Sequence, residues 1–96
     1  MKADVYQKIE KDFGSDLNLA IELIETVDAH SKGLVSDRIL RAIVFLAKGD
    51  IDRLKQVIEL SRTDYRDVLW QAEYHFGEDR RYDFNRTFHE LNLMGE

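Results

Sequence analysis

The feature that most constrains the fold of this chain is the placement of its helix-breaking residues. There is no proline, and glycines such as Gly14, Gly49 and Gly77 stand where runs of helically spaced apolar residues stop. Glycine and proline are the strongest local breakers of helices, so their positions mark predicted helix ends. No segment shows the two-residue alternation of a half-buried strand. The sequence therefore predicts an all-α fold.

The division at these breakers predicts a compact bundle of five to six short helices joined by tight turns, forming a single helical domain over residues 1–96. Ser36 and Asp50 are predicted N-caps of the third and fourth helices. The connections at residues 48–50 and 61–63 are so short that consecutive helices should fold back as hairpins. The predicted helices cover approximately residues 5–13, 16–31, 36–48, 50–61, 63–76 and 83–93.

The apolar stripes of these helices predict the core. The third helix is apolar over more than half of its circumference, so we expect it to be the most buried helix. The fifth helix is predicted to turn one stripe inward, consisting of Tyr65, Val68, Leu69, Ala72 and Phe76. The last helix is predicted to present Phe84, Phe88 and Leu91 to the same core.

Composition excludes several classes of function. The chain has no cysteine, which rules out disulfides and thiolate chemistry. Its longest apolar stretch, residues 42–47, is too short to span a bilayer, and its N-terminus lacks the apolar run of a signal peptide, so we expect a cytoplasmic protein without a membrane partner. A net charge of −5 disfavours nucleic acid and favours a basic or neutral partner.

No residue pattern indicates catalysis, a cofactor or a metal. The glycines do not form a phosphate-binding loop, and the serines stand at predicted helix ends, where capping explains them. No two of the three histidines, His30, His75 and His89, share a helix turn, and the sequence contains no His-x-x-x-His or Glu-x-x-His pair. We therefore predict no catalytic, cofactor-binding or metal-binding residues, and hence a protein that is not an enzyme.

Two charged clusters allow both a structural and a functional interpretation. Asp64 and Asp67 lie in the first turn of the predicted fifth helix, where they complement the positive helix end and can pair with arginine, namely Arg38, Arg41 or Arg62. The functional alternative is an acidic recognition patch or a general base.

The second cluster combines Arg80, Arg81 and Arg86 with nearby aromatic residues. This mixture is able to bind single-stranded nucleic acid by stacking and charge neutralisation. Acidic residues dilute it, however, so we favour aromatic core residues beneath a surface of mixed charge.

Three aromatic residues fall outside the predicted core stripes. On a helical wheel, Trp70 and Tyr74 lie about 140° and 180° from the stripe of the fifth helix, and Phe45 lies about 200° from the apolar arc of the third. Either the C-terminal helix covers these side chains, or they form an exposed surface for a protein partner or for self-association.

Part of the chain resembles a group of known proteins. Residues 38–50, followed by Asp64-Tyr65-Arg66-Asp67-Val68 and Ala72-Glu73-Tyr74, are similar to small bacterial proteins of unknown function. The resemblance covers about residues 36–75. It implies a bacterial, cytoplasmic, helical protein, and it carries no catalytic residues.

Two functional hypotheses follow. The first is a non-enzymatic protein-protein interaction module that binds an unidentified protein or a second copy of itself as a homodimer, and its candidate surface comprises Phe45, Trp70, Tyr74, Asp64 and Asp67. The second is an acidic antitoxin-like or immunity-like inhibitor that masks a basic partner surface through Glu22, Glu25, Asp28 and the same two aspartates.

Overall fold

In the computed structural model, residues 1–30 and 36–94 are described, and their regular structure is entirely helical. The α-helices are α1 (Ala3–Phe13), α2 (Leu17–His30), α3 (Asp37–Ala47) and α4 (Ile51–Leu69). A 3₁₀ turn, Gly14–Asp16, joins α1 to α2, and a π-helical segment, Trp70–Tyr74, continues α4. The all-α class and compact form are confirmed, with a radius of gyration of 12.2 Å, but four α-helices replace the predicted five to six in the described ranges.

The hairpin between α3 and α4 forms where the sequence predicts it. The Ser36 hydroxyl accepts a hydrogen bond from the Ile39 N–H at 3.3 Å, and the Asp50 carboxylate accepts one from the Arg53 N–H at 3.2 Å, so both predicted N-caps are present. Gly49 has a positive φ of 74°, and a Cβ there would collide with the carbonyl oxygen of Asp12 at the end of α1. Glycine is therefore needed both for its backbone conformation and for its lack of a side chain.

Helix α3 lies at the centre of the core, as predicted. Seven of its eleven residues are buried, compared with four of eleven in α1 and four of nineteen in α4. The buried apolar residues from the other α-helices that complete this cluster are Val5, Ile9, Phe13, Ala20, Ile24, Val27, Leu54, Val57, Ile58 and Val68. None of the described helices is both long and apolar enough to cross a membrane.

The predicted break at residues 61–63 occurs one residue later, at Asp64. The helix continues to Asp64, which alone leaves helical geometry, with φ −155° and ψ 89°. Its carboxylate accepts a hydrogen bond from the Arg66 N–H at 3.1 Å, so Asp64 caps the second half of α4. The hydroxyls of Ser61 and Thr63 donate to the carbonyls of Ile58 and Glu59, one turn earlier, and so do not act as N-caps. The run Ile51–Leu69 therefore consists of two helical halves separated at Asp64, in agreement with the predicted fourth and fifth helices.

The predicted last helix, residues 83–93, does not form. The stretch folds into successive turns, and Thr87 with Glu90 forms a reciprocal capping box that opens only one turn, because Asn92 adopts a left-handed φ of 57°. Phe84 and Phe88 are nevertheless fully buried, as their apolar character predicts. Their main-chain N–H groups donate to buried carboxylates elsewhere in the chain, which ties this C-terminal segment to the helices.

Candidate functional site

A group of aromatic side chains remains uncovered after the core is formed. Tyr65, Trp70 and Phe76 are 50%, 44% and 61% exposed, and the half-buried Leu69 and Tyr74 lie beside them. We call these five residues the aromatic surface. The prediction that Tyr65 and Phe76 belong to the core is therefore wrong.

The backbone around Trp70 explains why the predicted stripe fails at Phe76. The π-helical segment Trp70–Tyr74 has wider turns than an α-helix, so the residues that follow it lose the 3.6-residue register. His75 and Phe76 then both adopt left-handed conformations, with φ values of 50° and 63°. The chain therefore turns Phe76 away from the stripe that buries Val68 and Ala72.

Ring packing and one hydrogen bond fix the shape of the aromatic surface. The rings of Trp70 and Phe76 meet edge to face with centroids 4.9 Å apart, and the Trp70 Nε1–H donates to the Gly77 carbonyl at 3.2 Å. The indole N–H is thus satisfied internally, and the apolar faces remain available. An open depression of about 380 Å³ is lined by Arg38, Tyr65, Arg66, Leu69, Trp70 and Tyr74.

Phe45 belongs to a different environment. Its half-buried ring contacts Tyr82, Phe84 and His75, with centroids 5.4, 5.2 and 6.2 Å away, and the Lys48 ammonium lies 5.0 Å from its centroid. The C-terminal segment therefore covers Phe45. Of the five residues predicted for an interaction surface, only Trp70 and Tyr74 lie together in the depression.

The two predicted acidic residues serve local structure. Asp64 caps the second half of α4, and the Asp67 carboxylate accepts a hydrogen bond from Gln71 Nε2 at 3.2 Å. The predicted pairing of these aspartates with arginine is wrong. Arg38, Arg41 and Arg62 instead form ion pairs with Glu73, Asp4 and Glu59, respectively. Two of those acceptors are buried, and a buried carboxylate needs a charged partner more strongly than an exposed one.

Glu73 is the fully buried acceptor in this network. Its carboxylate accepts hydrogen bonds from Arg38 Nε at 3.0 Å and Nη2 at 2.5 Å, from Arg80 Nη2 at 3.1 Å, and from the Phe84 N–H at 2.9 Å. Burial raises the pKa of Glu73, but the hydrogen bonds and charges of these donors outweigh burial and hold the pKa below its ordinary value. Its main-chain carbonyl also accepts from the N–H groups of Arg81 and Tyr82.

Asp4 forms the second buried pair. Its carboxylate accepts from Arg41 Nε at 2.9 Å and Nη2 at 3.0 Å, and from the Phe88 N–H at 3.0 Å. Arg41 Nη1 continues to the Phe84 carbonyl at 3.1 Å. Burial raises the pKa of Asp4, and the arginine and main-chain hydrogen bonds lower it further than burial raises it. Together the two pairs fasten α1, α3 and the π-helical segment to the C-terminal segment.

Sequence reasoning missed both buried carboxylates. Glu73 lies five residues after the buried Val68, a spacing that falls on one side of a helix only where the turns are π-helical, and residue types do not indicate such turns. Asp4 also carries no local signal, because its acceptor role depends on Phe88, which is 84 positions away in sequence.

The described residues show no constellation for metal chemistry. They contain no group of three or more histidine, cysteine, aspartate or glutamate residues placed to hold an ion. His75 ends the π-helical segment, and His89 hydrogen-bonds to Gln7 at 2.8 Å. The side chain of His30 lies outside the described part of the structure.

No known protein family, curated protein or solved structure matches the chain. The resemblance of residues 36–75 to small bacterial helical proteins therefore stays a prediction.

Proposed function

We propose that this protein is a non-enzymatic interaction module of the bacterial cytoplasm that binds a partner protein through the aromatic surface. The observation that carries the proposal is that Tyr65, Trp70 and Phe76 stay about half exposed, although the same chain buries Phe84 and Phe88 completely. Exposed aromatic residues gathered in one patch are typical of binding surfaces.

The backbone beneath this surface supports the same function. Non-glycine residues in the left-handed region cost on the order of 1–3 kcal/mol each, and such residues concentrate at functional sites. His75 and Phe76 are two such residues in succession, directly after a π-helical segment. A continued α-helix would avoid this cost. The left-handed backbone at His75 and Phe76 therefore costs stability and at the same time exposes the Phe76 side chain.

The size of the aromatic surface favours a short partner segment over a second copy of this chain. Three aromatic side chains at about half exposure offer on the order of 300 Å², whereas a stable dimer buries roughly 800 Å² per partner. One apolar side chain of a peptide, with its neighbours, fits a depression of about 380 Å³. The predicted homodimer therefore has weaker support than the binding of a short segment of a partner protein.

The bonding of the buried carboxylates supports a non-enzymatic role. Glu73 and Asp4 each accept hydrogen bonds from arginine and from main-chain N–H groups. A general base needs a lone pair directed at its substrate and a pKa near the working pH. Both groups instead have lowered pKa values and bonds within the fold.

The alternative, an acidic inhibitor of a basic partner, has weaker support. Glu22 and Glu25 are exposed on α2, but Asp64 and Asp67 are hydrogen-bonded within α4 and its continuation. The residues on which binding depends separate the hypotheses. Binding to a basic surface would weaken steeply with salt and would depend on Glu22 and Glu25, not on the aromatic surface.

The test compares capture of host proteins by the wild type, by Trp70→Ala/Phe76→Ala and by Tyr6→Ala. Tyr6 is 44% exposed on α1, so its variant is a matched control for losing an exposed aromatic residue. We expect the double variant to lose the partner and the control to keep it. Circular dichroism and chemical denaturation establish that both variants are folded. Equal capture by a folded double variant would refute the proposal.

A further inference from the structure

A second depression adjoins the C-terminal segment and is rich in arginine. It measures about 370 Å³ and is lined by Arg80, Arg81, Tyr82, Asp83, Arg86 and Leu91. Arg80 is held in place by Glu73 and by Asp83, at 2.9 Å from the latter. The main-chain N–H of Arg81 donates to the Glu73 carbonyl, so this corner of the chain is anchored to the π-helical segment.

The two depressions are neighbours through Glu73. Arg38 lines the aromatic depression and Arg80 lines the second one, and both guanidinium groups contact Oε1 of Glu73. Arginines therefore extend from one depression to the other. We call them the arginine row: Arg38, Arg66, Arg80, Arg81 and Arg86.

The charge of this row differs in sign from that of the whole chain. Among the residues that the structure describes, Arg66, Arg81 and Arg86 form no ion pair, while Arg38 pairs with Glu73, and Arg80 pairs with Glu73 and Asp83. The chain as a whole carries −5. At physiological salt, charges more than about 8 Å apart are largely screened, so a ligand in contact with the row responds to the arginines rather than to the net charge.

From this juxtaposition we infer that the partner segment is an acidic peptide with an aromatic or large aliphatic residue. This inference rests on the proposed function. The apolar side chain occupies the aromatic depression, and neighbouring carboxylates of the peptide pair with the arginine row. Arginine suits this role because its planar guanidinium binds a carboxylate through two parallel hydrogen bonds.

Single-stranded nucleic acid is the competing ligand, and the structure disfavours it. Binding of that kind relies on aromatic faces on which successive bases stack. Phe84 and Phe88 are fully buried, and the Tyr82 ring packs against Phe45, His75 and Phe84. Near Arg80, Arg81 and Arg86 the aromatic rings thus pack within the fold, and bases could stack only at the aromatic surface beside Arg38 and Arg66. A single strand that follows the whole arginine row could not stack along it, which favours a short acidic peptide over a polyanion.

The test selects binders from a random peptide-display library on the immobilised full-length protein and measures their affinity by fluorescence anisotropy. Arg66→Gln/Arg81→Gln removes two charges from the arginine row without breaking an ion pair among the described residues. Lys2→Gln/Lys55→Gln removes the same charge from exposed positions outside both depressions. A fluorescent oligothymidylate is titrated in parallel.

We expect the selected peptides to combine aspartate or glutamate with an aromatic or large aliphatic residue. Their affinity should fall about 5- to 30-fold in the arginine variant and stay within about twofold in the lysine variant. The Trp70→Ala/Phe76→Ala variant should bind the same peptides at least about 30-fold more weakly than the wild type does.

Three outcomes would overturn the inference. Peptides that need Trp70 and Phe76 but carry no acidic excess, and bind the arginine variant normally, would refute it while leaving the proposed function intact. If no selected peptide depends on Trp70 and Phe76 for binding, both this inference and the proposed function would be refuted. If oligothymidylate binds the wild type more tightly than the selected peptides do, and the arginine variant no longer binds it, the arginine row would be assigned to nucleic acid.

Discussion

Replacing Glu73 by glutamine removes the charge from a fully buried side chain while keeping its size. The two arginines that it binds, Arg38 and Arg80, lose their shared counter-ion. In addition, the new amide group points an N–H₂ donor at a site occupied only by donors, namely two guanidinium groups and the Phe84 N–H. The variant therefore combines an unpaired charge with a hydrogen-bond mismatch.

The expected loss of stability follows from the burial of each group. Removing one partner of a buried ion pair costs about 3–5 kcal/mol. Here the arginine side chains are 33% and 36% exposed, so water recovers part of their solvation, and we expect about 2–4 kcal/mol. For a domain of this size that corresponds to a fall in Tm of roughly 10–30 °C.

Urea denaturation followed by far-ultraviolet circular dichroism measures this loss, with Glu78→Gln as the control because Glu78 is exposed. The control should change stability by less than about 0.5 kcal/mol. Amide hydrogen exchange adds a local readout, since Phe84 should lose protection first. A Glu73→Gln loss below about 1 kcal/mol, with Phe84 still protected, would mean that the buried carboxylate does not hold the C-terminal segment.

Two further predictions concern acid and the α3–α4 turn. The pKa values of Glu73 and Asp4 lie below their ordinary values of 4.5 and 3.8, so their stabilisation is complete above those values and is lost as the pH falls through the folded pKa values. As the pH is lowered below about 4, the free energy of unfolding should therefore decrease, and it should decrease less steeply in Glu73→Gln than in the wild type. Equal dependence on pH in the two proteins would contradict this prediction. Gly49→Ala should cost more than about 2 kcal/mol, because a Cβ at this residue of positive φ meets the Asp12 carbonyl oxygen. A loss below about 1 kcal/mol in thermal denaturation would refute the steric argument.

The local features of the fold could be predicted because their causes are local. Ser36 and Asp50 cap helices through N–H groups three residues away, and Gly49 supplies a backbone conformation that other residues resist. The burial of Phe84 and Phe88 was predicted from the stripe of a last helix, and it holds although that helix does not form. Hydrophobicity thus identified buried residues even where the predicted helix was wrong.

The candidate site was only partly predictable. Helical spacing correctly separated Trp70 and Tyr74 from the residues that pack inward, Val68 and Ala72. It placed Phe76 wrongly, because a π-helical segment interrupts the 3.6-residue period and cannot be read from residue types. The depression itself also needs Arg38 from α3, which comes close only when α3 packs against the π-helical segment.

By itself, the sequence determined the helical class, the caps at the starts of α3 and α4, and most of the core, since periodicity and capping act over a few residues. Tertiary structure alone decided the form of the C-terminal segment. Its main-chain N–H groups at Phe84 and Phe88 donate to Glu73 and Asp4 instead of to carbonyls of their own helix. Buried carboxylates, neutralised by Arg38 and Arg41, are acceptors strong enough to replace helical hydrogen bonds. Such acceptors exist only after distant parts of the chain have packed together, so no local pattern could indicate them.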